Sequence, residues 1–231
     1  MLKYDYILFD LDDTLFDYDK SDEYALKMVL AELGIPFKTD YFEVFRNIDR
    51  YLWTKINTFS GDEFYYARAT EFFKAISFEV DIDSFVNQFG KYSSEPFLLT
   101  GTEQVCRTLS ESSKLFVITN GSIEVRKEKV SKSKIKEYIK KIYSPEEVGF
   151  YKPQKEYFDF VLNDIGCINR ERVLIVGDTM ETDVLGGRNS GIDTCLLKNE
   201  KTTIDKSDFQ PSFIIQNITE LPCLITGCTD K

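Results

Sequence analysis

Four short runs of strand-forming residues are spaced along the chain, and polar residues follow each of them. The runs are Tyr6–Phe9, Leu115–Ile118, Lys141–Tyr143 and Val173–Val176. Their shortness and their β-branched and aromatic content are typical of buried strands. Between the later runs apolar residues recur at helical spacing, so strands and helices alternate. This alternation predicts an α/β domain with a doubly wound, Rossmann-like parallel sheet covered by helices on both faces.

Residues 17–96 follow a different pattern. Apolar residues there recur at helical spacing, and no strand pattern interrupts them. The predicted helices span residues 21–33, 41–56 and 64–76, with a fourth beginning at residue 83. Pro96 marks the end of this block. We therefore predict a core α/β domain made of residues 1–16 and 97–231, with an all-helical domain at 17–96 inserted directly after the first strand.

The composition excludes several classes of function. The chain has no His, which excludes Ser-His-Asp and Cys-His catalysis, and its net charge of −10 disfavours a nucleic acid polymer or an anionic membrane as partner. Five Cys without a CxxC pair disfavour both a disulfide framework and a zinc site. No signal-peptide pattern and no heptad pattern is visible, so we expect a cytoplasmic protein that is monomeric by default.

Two carboxylates follow the first predicted strand. Asp10 and Asp12 stand two residues apart, and in an extended chain this spacing directs both side chains to the same side. Like charges so close together require a shared proton or a cation between them. Because the chain lacks His and a metal-binding Cys pattern, the expected cation is Mg²⁺, which prefers oxygen ligands.

The other predicted strands also lead to polar residues suited to phosphate chemistry. Thr119 and Asn120 follow the second run, Lys152 lies beyond the third, and Asp178 follows the fourth with Asp183 shortly after it. In open α/β sheets, the carboxyl ends of the strands meet at one crevice. Such a crevice would hold carboxylates, an ammonium group, a hydroxyl and an amide, which together suit a divalent cation and a phosphoryl group.

These segments resemble the four motifs of the haloacid dehalogenase superfamily of phosphohydrolases. FDLDDTL at 9–15, VITNG at 117–121, the Lys of GFYKPQKEYF at 149–158 and VGDTMETD at 176–183 occur in the family's order and span most of the chain. The first and last of these motifs are highly specific. The resemblance implies that Asp10 is the nucleophile and Asp12 the general acid and base. It also implies that Asp10, the main-chain carbonyl of Asp12 and Asp178 coordinate Mg²⁺.

The resemblance assigns roles to the remaining polar residues as well. Thr119, with Asn120, and Lys152 would bind the phosphoryl group of the substrate. Asp183 would act in the outer shell of the metal or hold Lys152, and Thr14 would support the first loop. The helical block at 17–96 resembles the family's alpha-helical cap, which closes over the site, excludes water and recognises the leaving group. The residues flanking the last two motifs look most like the branch that contains 5'-nucleotidases.

The expected function is Mg²⁺-dependent hydrolysis of a small phosphate monoester through an aspartyl-phosphate, with a nucleoside 5'-monophosphate as a candidate substrate. A phosphomutase or a sugar-phosphate phosphatase of the same superfamily is the alternative. A haloacid dehalogenase is disfavoured because a second acid at Asp12 suits phosphoryl chemistry. A phospho-accepting signalling domain is a further alternative from another class, but such domains carry their acceptor Asp on a middle strand and lack the helical insert.

Overall fold

The computed structural model describes residues 3–59, 62–199, 202 and 209–226. The chain divides into two compact units, and one of them combines the two ends of the sequence. The first unit consists of Met1–Tyr18 and Pro96–Lys231, and the second of Asp19–Glu95. None of the helices in the described ranges is both long and apolar enough to cross a membrane.

The first unit is built on a six-stranded parallel sheet with strand order β3-β2-β1-β4-β5-β6, which confirms the predicted α/β architecture. The strands are β1 (Tyr6–Phe9), β2 (Lys114–Ile118), β3 (Ile139–Tyr143), β4 (Val173–Gly177), β5 (Asp193–Leu197) and β6 (Phe213–Ile215). The four strands that carry the motifs are therefore consecutive neighbours. Because all of them run in the same direction, their carboxyl ends lie side by side.

Helices precede and separate the strands. They are α1 (Tyr18–Glu32), α2 (Thr39–Trp53), α3 (Glu63–Ile76), α4 (Ile82–Ser93), α5 (Thr102–Ser110), α6 (Ile123–Lys132), α7 (Pro145–Val148), α8 (Lys155–Asp164), α9 (Leu185–Ser190) and α10 (Leu221–Thr226). Met180–Val184 forms a π-helical turn before α9. The helical segment between β4 and β5 therefore consists of two elements.

Both faces of the sheet are buried. Successive side chains of β1 point alternately into two apolar clusters, one on each face. Ile7 and Phe9 belong to one apolar cluster, whereas Leu8 belongs to another on the opposite face. All three side chains are fully buried. A strand covered on both sides has no fully solvent-facing position, which explains why β1 contains only aliphatic and aromatic residues. Rigid burial of β1 in the centre of the sheet holds the residues that follow it in place.

The second unit is a bundle of α1–α4 with an aromatic core. Phe45, Phe72, Phe73, Phe85 and Phe89 are buried there, and their neighbouring ring centroids lie 4.7–5.6 Å apart. Most of these pairs meet edge to face, an arrangement favoured by the charge distribution of the rings. Aromatic residues of the predicted helices at 41–56 and 64–76 thus belong to a hydrophobic core.

A buried guanidinium lies within this aromatic core. Arg68 donates to Asp22 Oδ2 at 3.0 Å and to Asp49 Oδ1 at 2.8 Å. Its guanidinium carbon lies 4.5 Å from the centroid of the Phe45 ring. α1 begins at Tyr18, three residues before the predicted start, so Asp22 lies within the helix and is buried in this ion pair. Residues 18–22 are mostly polar, so the apolar spacing that predicts the rest of the helix does not extend to its first turn.

The chain leaves and re-enters the first unit at two adjacent points. The amide of Asp17 donates to the carbonyl of Phe97 at 2.8 Å, and the amide of Leu99 donates to the carbonyl of Leu15 at 3.0 Å. These bonds join two segments that the helical unit separates in sequence. The connection is therefore a short antiparallel pairing that belongs to the first unit.

Candidate active site

Asp10 lies at the centre of the site because it directly follows the central strand β1. Its amide donates to the carbonyl of Val176 on β4 at 2.8 Å, which fixes the backbone where the strand ends. The ammonium of Lys152 lies 2.7 Å from Asp10 Oδ1, and the hydroxyl of Thr14 donates to Oδ2 at 3.3 Å. The side chain of Asp10 is thus held from both sides, and the supporting role expected for Thr14 stays a prediction.

Lys152 connects two carboxylates that are far apart in sequence. Its ammonium donates to Asp10 Oδ1 and Asp183 Oδ1, both at 2.7 Å, and to the carbonyl of Ile118 at 3.2 Å. Only 3% of Lys152 is exposed. Burial alone would lower the pKa of Lys152, but the two carboxylates raise it above its ordinary value. The residue therefore remains a fixed positive charge in the site.

Three carboxylates meet beside this ammonium. Oxygen atoms of Asp10, Asp178 and Asp183 all lie within 4.8 Å of one another. Burial, opposed by Lys152, raises the pKa of Asp10 to about 7. Burial also raises the pKa of Asp178 well above its ordinary value, and the charges of Asp10 and Asp183 add to this effect. Carboxylates that resist ionisation in this way are a donor set that fits a bound divalent cation.

Asp183 is engaged differently from the other two. Its Oδ1 accepts from Lys152, while its Oδ2 accepts from the hydroxyl of Thr179 at 2.8 Å and from the amide of Thr179 at 3.2 Å. A side chain at Gly177 could not coexist with this position, since a Cβ there would lie 2.3 Å from the Asp183 carboxyl carbon. With both oxygens engaged, Asp183 is better suited to hold Lys152 than to bind a metal directly.

Thr119 and Asn120 follow β2 and lie against the Lys152 loop. The amide nitrogen of Asn120 donates to the Lys152 carbonyl, and the Lys152 amide donates to Asn120 Oδ1, both at 2.9 Å. Both ends of the Asn120 side chain are thereby committed to positioning Lys152. The predicted hydrogen bond from this side chain to the phosphoryl group stays a prediction, and its present contacts indicate a supporting task instead. Thr119 Oγ1 accepts from the amide of Gly121 at 3.0 Å.

Sequence analysis did not identify Tyr157 as part of the site. Its hydroxyl donates to the carbonyl of Tyr143 at 2.8 Å and accepts from the amide of Thr119 at 3.1 Å. The side chain thereby links the carboxyl ends of β2 and β3. Tyr157 occupies an apolar position in the helical pattern of α8. That pattern predicts a buried core residue and does not indicate a role in the site.

Asp12 is held by two buried cations on α6. Arg126 Nη2 lies 2.5 Å from Asp12 Oδ2, and Lys129 Nζ lies 3.1 Å from Oδ1. Burial by itself would raise the pKa of Asp12, but Arg126 and Lys129 outweigh it and lower the pKa to about 2. We call these two residues the Asp12 clamp. Sequence analysis missed both; the signal available was a pair of cations one helical turn apart.

Asp178 has a further partner after β5. The side-chain amide of Asn199 donates to Asp178 Oδ2 at 3.3 Å, and Thr202 Oγ1 donates to the main-chain carbonyl of Asp178 at 3.2 Å. Neither residue stood out in the sequence, because each lies beyond a strand without a recognisable motif. Their bonds orient the segment that presents the Asp178 carboxylate.

The arrangement combines a carboxylate at the end of the central strand, an adjacent ammonium, a carboxylate cluster suited to a cation, and a second acidic side chain on the same loop. Phosphoryl transfer needs these parts, because its transition state spreads negative charge over several oxygens. The structure brings together Asp10, Thr14, Lys152, Asp178 and Asp183 by direct contact or within the carboxylate cluster. Asp12, Thr119 and Asn120 lie on the loops that surround them.

Comparison with known proteins agrees with this chemistry. The family model described as Haloacid dehalogenase-like hydrolase matches residues 7–197. A Bacillus subtilis protein named as a HAD-hydrolase, YfnB, is 28% identical over 96% of this chain and 95% of its own length. The pyrimidine 5'-nucleotidase YjjG of Escherichia coli is 27% identical over 97% of this chain and 99% of its own. A glyceraldehyde 3-phosphate phosphatase of Methanothermobacter thermautotrophicus is 26% identical over 93% of this chain and 96% of its own length.

Solved structures show the same architecture. The crystal structure of YfnB, which was determined bound to magnesium, has a TM-score of 0.89 with 26% identity and covers 96% of this chain and 99% of its own. The L-2-haloacid dehalogenase of Xanthobacter autotrophicus has a TM-score of 0.76 with 16% identity, and the match covers 98% of this chain and 100% of its own. At that identity the second comparison shows the fold alone.

Proposed function

Because the chain belongs to the haloacid dehalogenase-like hydrolases, we propose that it is a Mg²⁺-dependent phosphatase in which Asp10 receives the phosphoryl group of a small phosphate monoester. Phosphate-monoester hydrolysis is the activity of its nucleotidase and phosphatase relatives. The observation that carries the proposal is the contact of Lys152 with Asp10 at 2.7 Å beside the Asp178 carboxylate.

In the first step, a carboxylate oxygen of Asp10 attacks phosphorus and the bond to the leaving oxygen breaks. Covalent catalysis of this kind divides hydrolysis into two easier reactions. Lys152 is placed to neutralise charge on the phosphoryl oxygens, and Thr119 is proposed to donate a hydrogen bond to them. When bound, Mg²⁺ would supply further positive charge at the same oxygens.

The proposed metal ligands are Asp10, the main-chain carbonyl of Asp12 and Asp178. Asp183 is not included because Lys152 and Thr179 engage both of its oxygens. We assign Asp183 and Asn120 the task of holding Lys152, from its side chain and its backbone respectively.

Asp12 is proposed to exchange the protons of the reaction. It would give a proton to the leaving oxygen in the first step and take one from the attacking water in the second. Because Arg126 and Lys129 hold the carboxylate ionised, the proposed first step requires Asp12 to leave these two contacts and gain a proton. In the second step water attacks phosphorus, the bond to Asp10 breaks, and inorganic phosphate forms. The enzyme returns to its starting state with Asp10 ionised.

For the substrate, we propose a nucleoside 5'-monophosphate, and we favour one with a pyrimidine base. Support comes from the two pyrimidine 5'-nucleotidases of Escherichia coli and Streptococcus pneumoniae, at 27% and 25% identity over almost the whole chain. A sugar or triose phosphate is the second candidate because two archaeal glyceraldehyde 3-phosphate phosphatases also match. We propose that the helical unit is the cap that selects the leaving group.

The finer expectations about partners and location also stand as proposals. We propose a monomer that acts in the cytoplasm on a small phosphorylated metabolite and binds neither nucleic acid polymers nor membranes. Within the described residues, the free thiols of Cys106, Cys167 and Cys195 support a reducing compartment. Sedimentation at several protein concentrations would measure the oligomeric state directly.

The test is Mg²⁺-dependent release of phosphate from 4-nitrophenyl phosphate and from a panel of nucleotides and sugar phosphates. Asp10→Asn is expected to abolish turnover, while Glu181→Gln, an exposed carboxylate in the last motif, serves as the matched control. Full activity of Asp10→Asn would disprove the nucleophile assignment. Stimulation of turnover by a sugar bisphosphate would instead indicate a phosphomutase.

A further inference from the structure

The hydroxyl of Tyr157 lies where β2 and β3 end. It accepts a hydrogen bond from the amide of Thr119 at 3.1 Å. Its own hydrogen has two carbonyl acceptors within reach, that of Tyr143 at 2.8 Å and that of Thr119 at 3.2 Å. Tyr157 is fully buried, and hydrogen bonds away from water are electrostatically stronger than exposed ones. One hydroxyl therefore contacts both the amide and the carbonyl of the same residue.

These contacts restrict the backbone of Thr119 on both sides of its Cα. The amide belongs to the peptide unit between Ile118 and Thr119, and the carbonyl to the unit between Thr119 and Asn120. Because each peptide unit is planar, holding both units fixes the two backbone angles of Thr119 and the direction of its Cβ. The direction in which the Thr119 side chain leaves the backbone therefore depends on Tyr157.

The hydroxyl of Thr119 is held in place and still has a hydrogen to donate. Its Oγ1 accepts from the amide of Gly121 at 3.0 Å, and only 3% of Thr119 is exposed. A threonine hydroxyl that accepts a hydrogen bond keeps its one donor hydrogen. Among the residues that the structure describes, none accepts the hydrogen of this hydroxyl. Since buried polar groups normally have partners, this donor suits an oxygen of a bound ligand.

The ring of Tyr157 gives its hydroxyl a rigid support. Tyr157 lies in the first turn of α8, and its ring belongs to the apolar cluster that contains Leu8 and Ile118. The ring centroid lies 5.4 Å from that of Phe158. Packing in this cluster requires only the ring, because a phenylalanine would fill the same space. The hydroxyl is needed only for the bonds at the strand ends.

We propose that Tyr157 is a positioning residue whose hydroxyl directs the Thr119 hydroxyl toward the phosphoryl oxygens of the substrate, an inference that rests on the proposed phosphatase function. In this role Tyr157 touches neither the substrate nor the metal, and its whole effect passes through Thr119. A donor aimed at developing negative charge stabilises the transition state only when its position is fixed in advance. Tyr157 supplies that fixed position from the helix that follows Lys152.

Tyr157→Phe tests this role because it removes the hydroxyl and keeps the ring. The Thr119 amide retains its bond to the Tyr143 carbonyl at 3.0 Å, so the pairing of β2 with β3 is preserved. At saturating Mg²⁺ we expect kcat/KM for 4-nitrophenyl phosphate to fall on the order of 10-fold. The inhibition constant of inorganic phosphate should rise about 3-fold to 10-fold. Calorimetric titration should show unchanged Mg²⁺ affinity, because Tyr157 makes no hydrogen bond to the proposed metal ligands.

Tyr4→Phe is the matched control. Tyr4 is 1% exposed, and its hydroxyl donates to Asp193 Oδ2 at 2.7 Å. It lies before β1, at the opposite end of the sheet from Thr119. Loss of a buried tyrosine hydroxyl should lower the melting temperature of both variants. Only Tyr157→Phe should change kcat/KM and the inhibition constant of phosphate.

A double-substitution cycle tests whether the effect passes through Thr119. Thr119→Val removes the proposed donor and should lower kcat/KM on the order of 10²-fold. In this background Tyr157→Phe should cause no further loss, because the group that it directs is gone. Thr119→Ser keeps a hydroxyl, so this variant should remain sensitive to Tyr157→Phe.

The outcomes separate the two proposals. Unchanged kinetics in Tyr157→Phe, an equal loss in Tyr4→Phe, or additive losses with Thr119→Val would overturn the positioning role while the phosphatase function stands. A Tyr157→Phe chain that does not fold would also overturn it, because the hydroxyl would then serve the fold. If the wild-type protein releases no phosphate from any ester in the panel, the phosphatase function fails and the positioning role fails with it.

Discussion

The ammonium of Lys152 lies 2.7 Å from a carboxylate oxygen of Asp10 and 2.7 Å from one of Asp183, although the two carboxylates belong to the first and the last motif of the chain. One cation thereby unites the segments that follow β1, β3 and β4. The proposed nucleophile owes its orientation to a residue 142 positions away. Substitutions in this group of three residues should therefore affect catalysis and stability together.

Lys152→Met is expected to lower kcat/KM on the order of 10²-fold to 10³-fold, because it removes a preorganised charge beside the phosphoryl group. It also leaves Asp10 and Asp183 without their shared cation, which should reduce the free energy of unfolding by about 3 kcal/mol. Urea denaturation and steady-state kinetics measure the two effects. Lys155→Met removes an exposed ammonium three residues away and is the control; an equal loss in this control would contradict the assignment.

Mg²⁺ affinity is expected to fall as the pH decreases through about 7. Burial raises the pKa of Asp10 to about 7 in the metal-free protein, so a proton competes with the cation below that pH. The raised pKa means that the folded state binds this proton more tightly than the unfolded chain does. Its contribution to stability is therefore present at low pH and is lost as the pH rises through about 7.

Calorimetric titration with Mg²⁺ at pH 6 and pH 8 measures this competition, and proton release on binding should be greatest near pH 7. The increase in melting temperature caused by Mg²⁺ should likewise be larger at pH 8. Asp178→Asn should weaken the binding at both values of pH. Equal affinity at pH 6 and pH 8 would show that Asp10 does not take part in the metal site.

Gly177→Ala is expected to reduce activity without altering any polar group of the site. The added methyl carbon would lie 2.3 Å from the Asp183 carboxyl carbon, so Asp183 must move away from Lys152. Overpacking of this kind typically costs about 1–3 kcal/mol of stability. Gly166→Ala, where the structure leaves open space around the glycine, should strain only the backbone and preserve kcat/KM. Unchanged kinetics in Gly177→Ala would argue against a role for the Asp183–Lys152 contact.

Arg68→Met is expected to destabilise the helical unit by about 3 kcal/mol, because Asp22 and Asp49 would lose a buried partner. Two transitions in a thermal melt, or a lowered first transition, would locate the effect in that unit. Arg50→Met on the exposed side of α2 is the comparison variant. Arg68→Lys tests the planar guanidinium, which stacks on Phe45 in a way that an ammonium cannot.

The strands were the most predictable part of the fold. β2 and β4 differ from their predicted bounds by a single residue, because a strand buried on both faces admits only apolar side chains. The start of α1 was placed three residues late, since Asp22 faces the interior and pairs with Arg68 rather than with water. Local hydrophobic patterns cannot reveal a buried ion pair whose partner lies on another helix.

Asp10, Thr119 and Asp178 were expected directly after strands, and they follow β1, β2 and β4 in the structure. What could not be predicted was which polar groups they would contact. Asn120 turns toward the backbone of Lys152, and the Asp12 carboxylate pairs with Arg126 and Lys129. The contacts of Asp12 depend on how α6 packs beside the sheet. The spacing of residues within the motifs does not predict this packing.

The hydrogen bonds between Asp17 and Phe97 and between Leu15 and Leu99 have a consequence for how this protein can change over time. Because the two ends of the inserted segment are tied together within the sheet-containing unit, that segment can be lengthened, shortened or exchanged while its attachment stays closed. Under the proposed role of the helical unit in selecting the leaving group, a lineage could acquire a new substrate preference by replacing that unit while the sheet-containing unit is inherited unaltered.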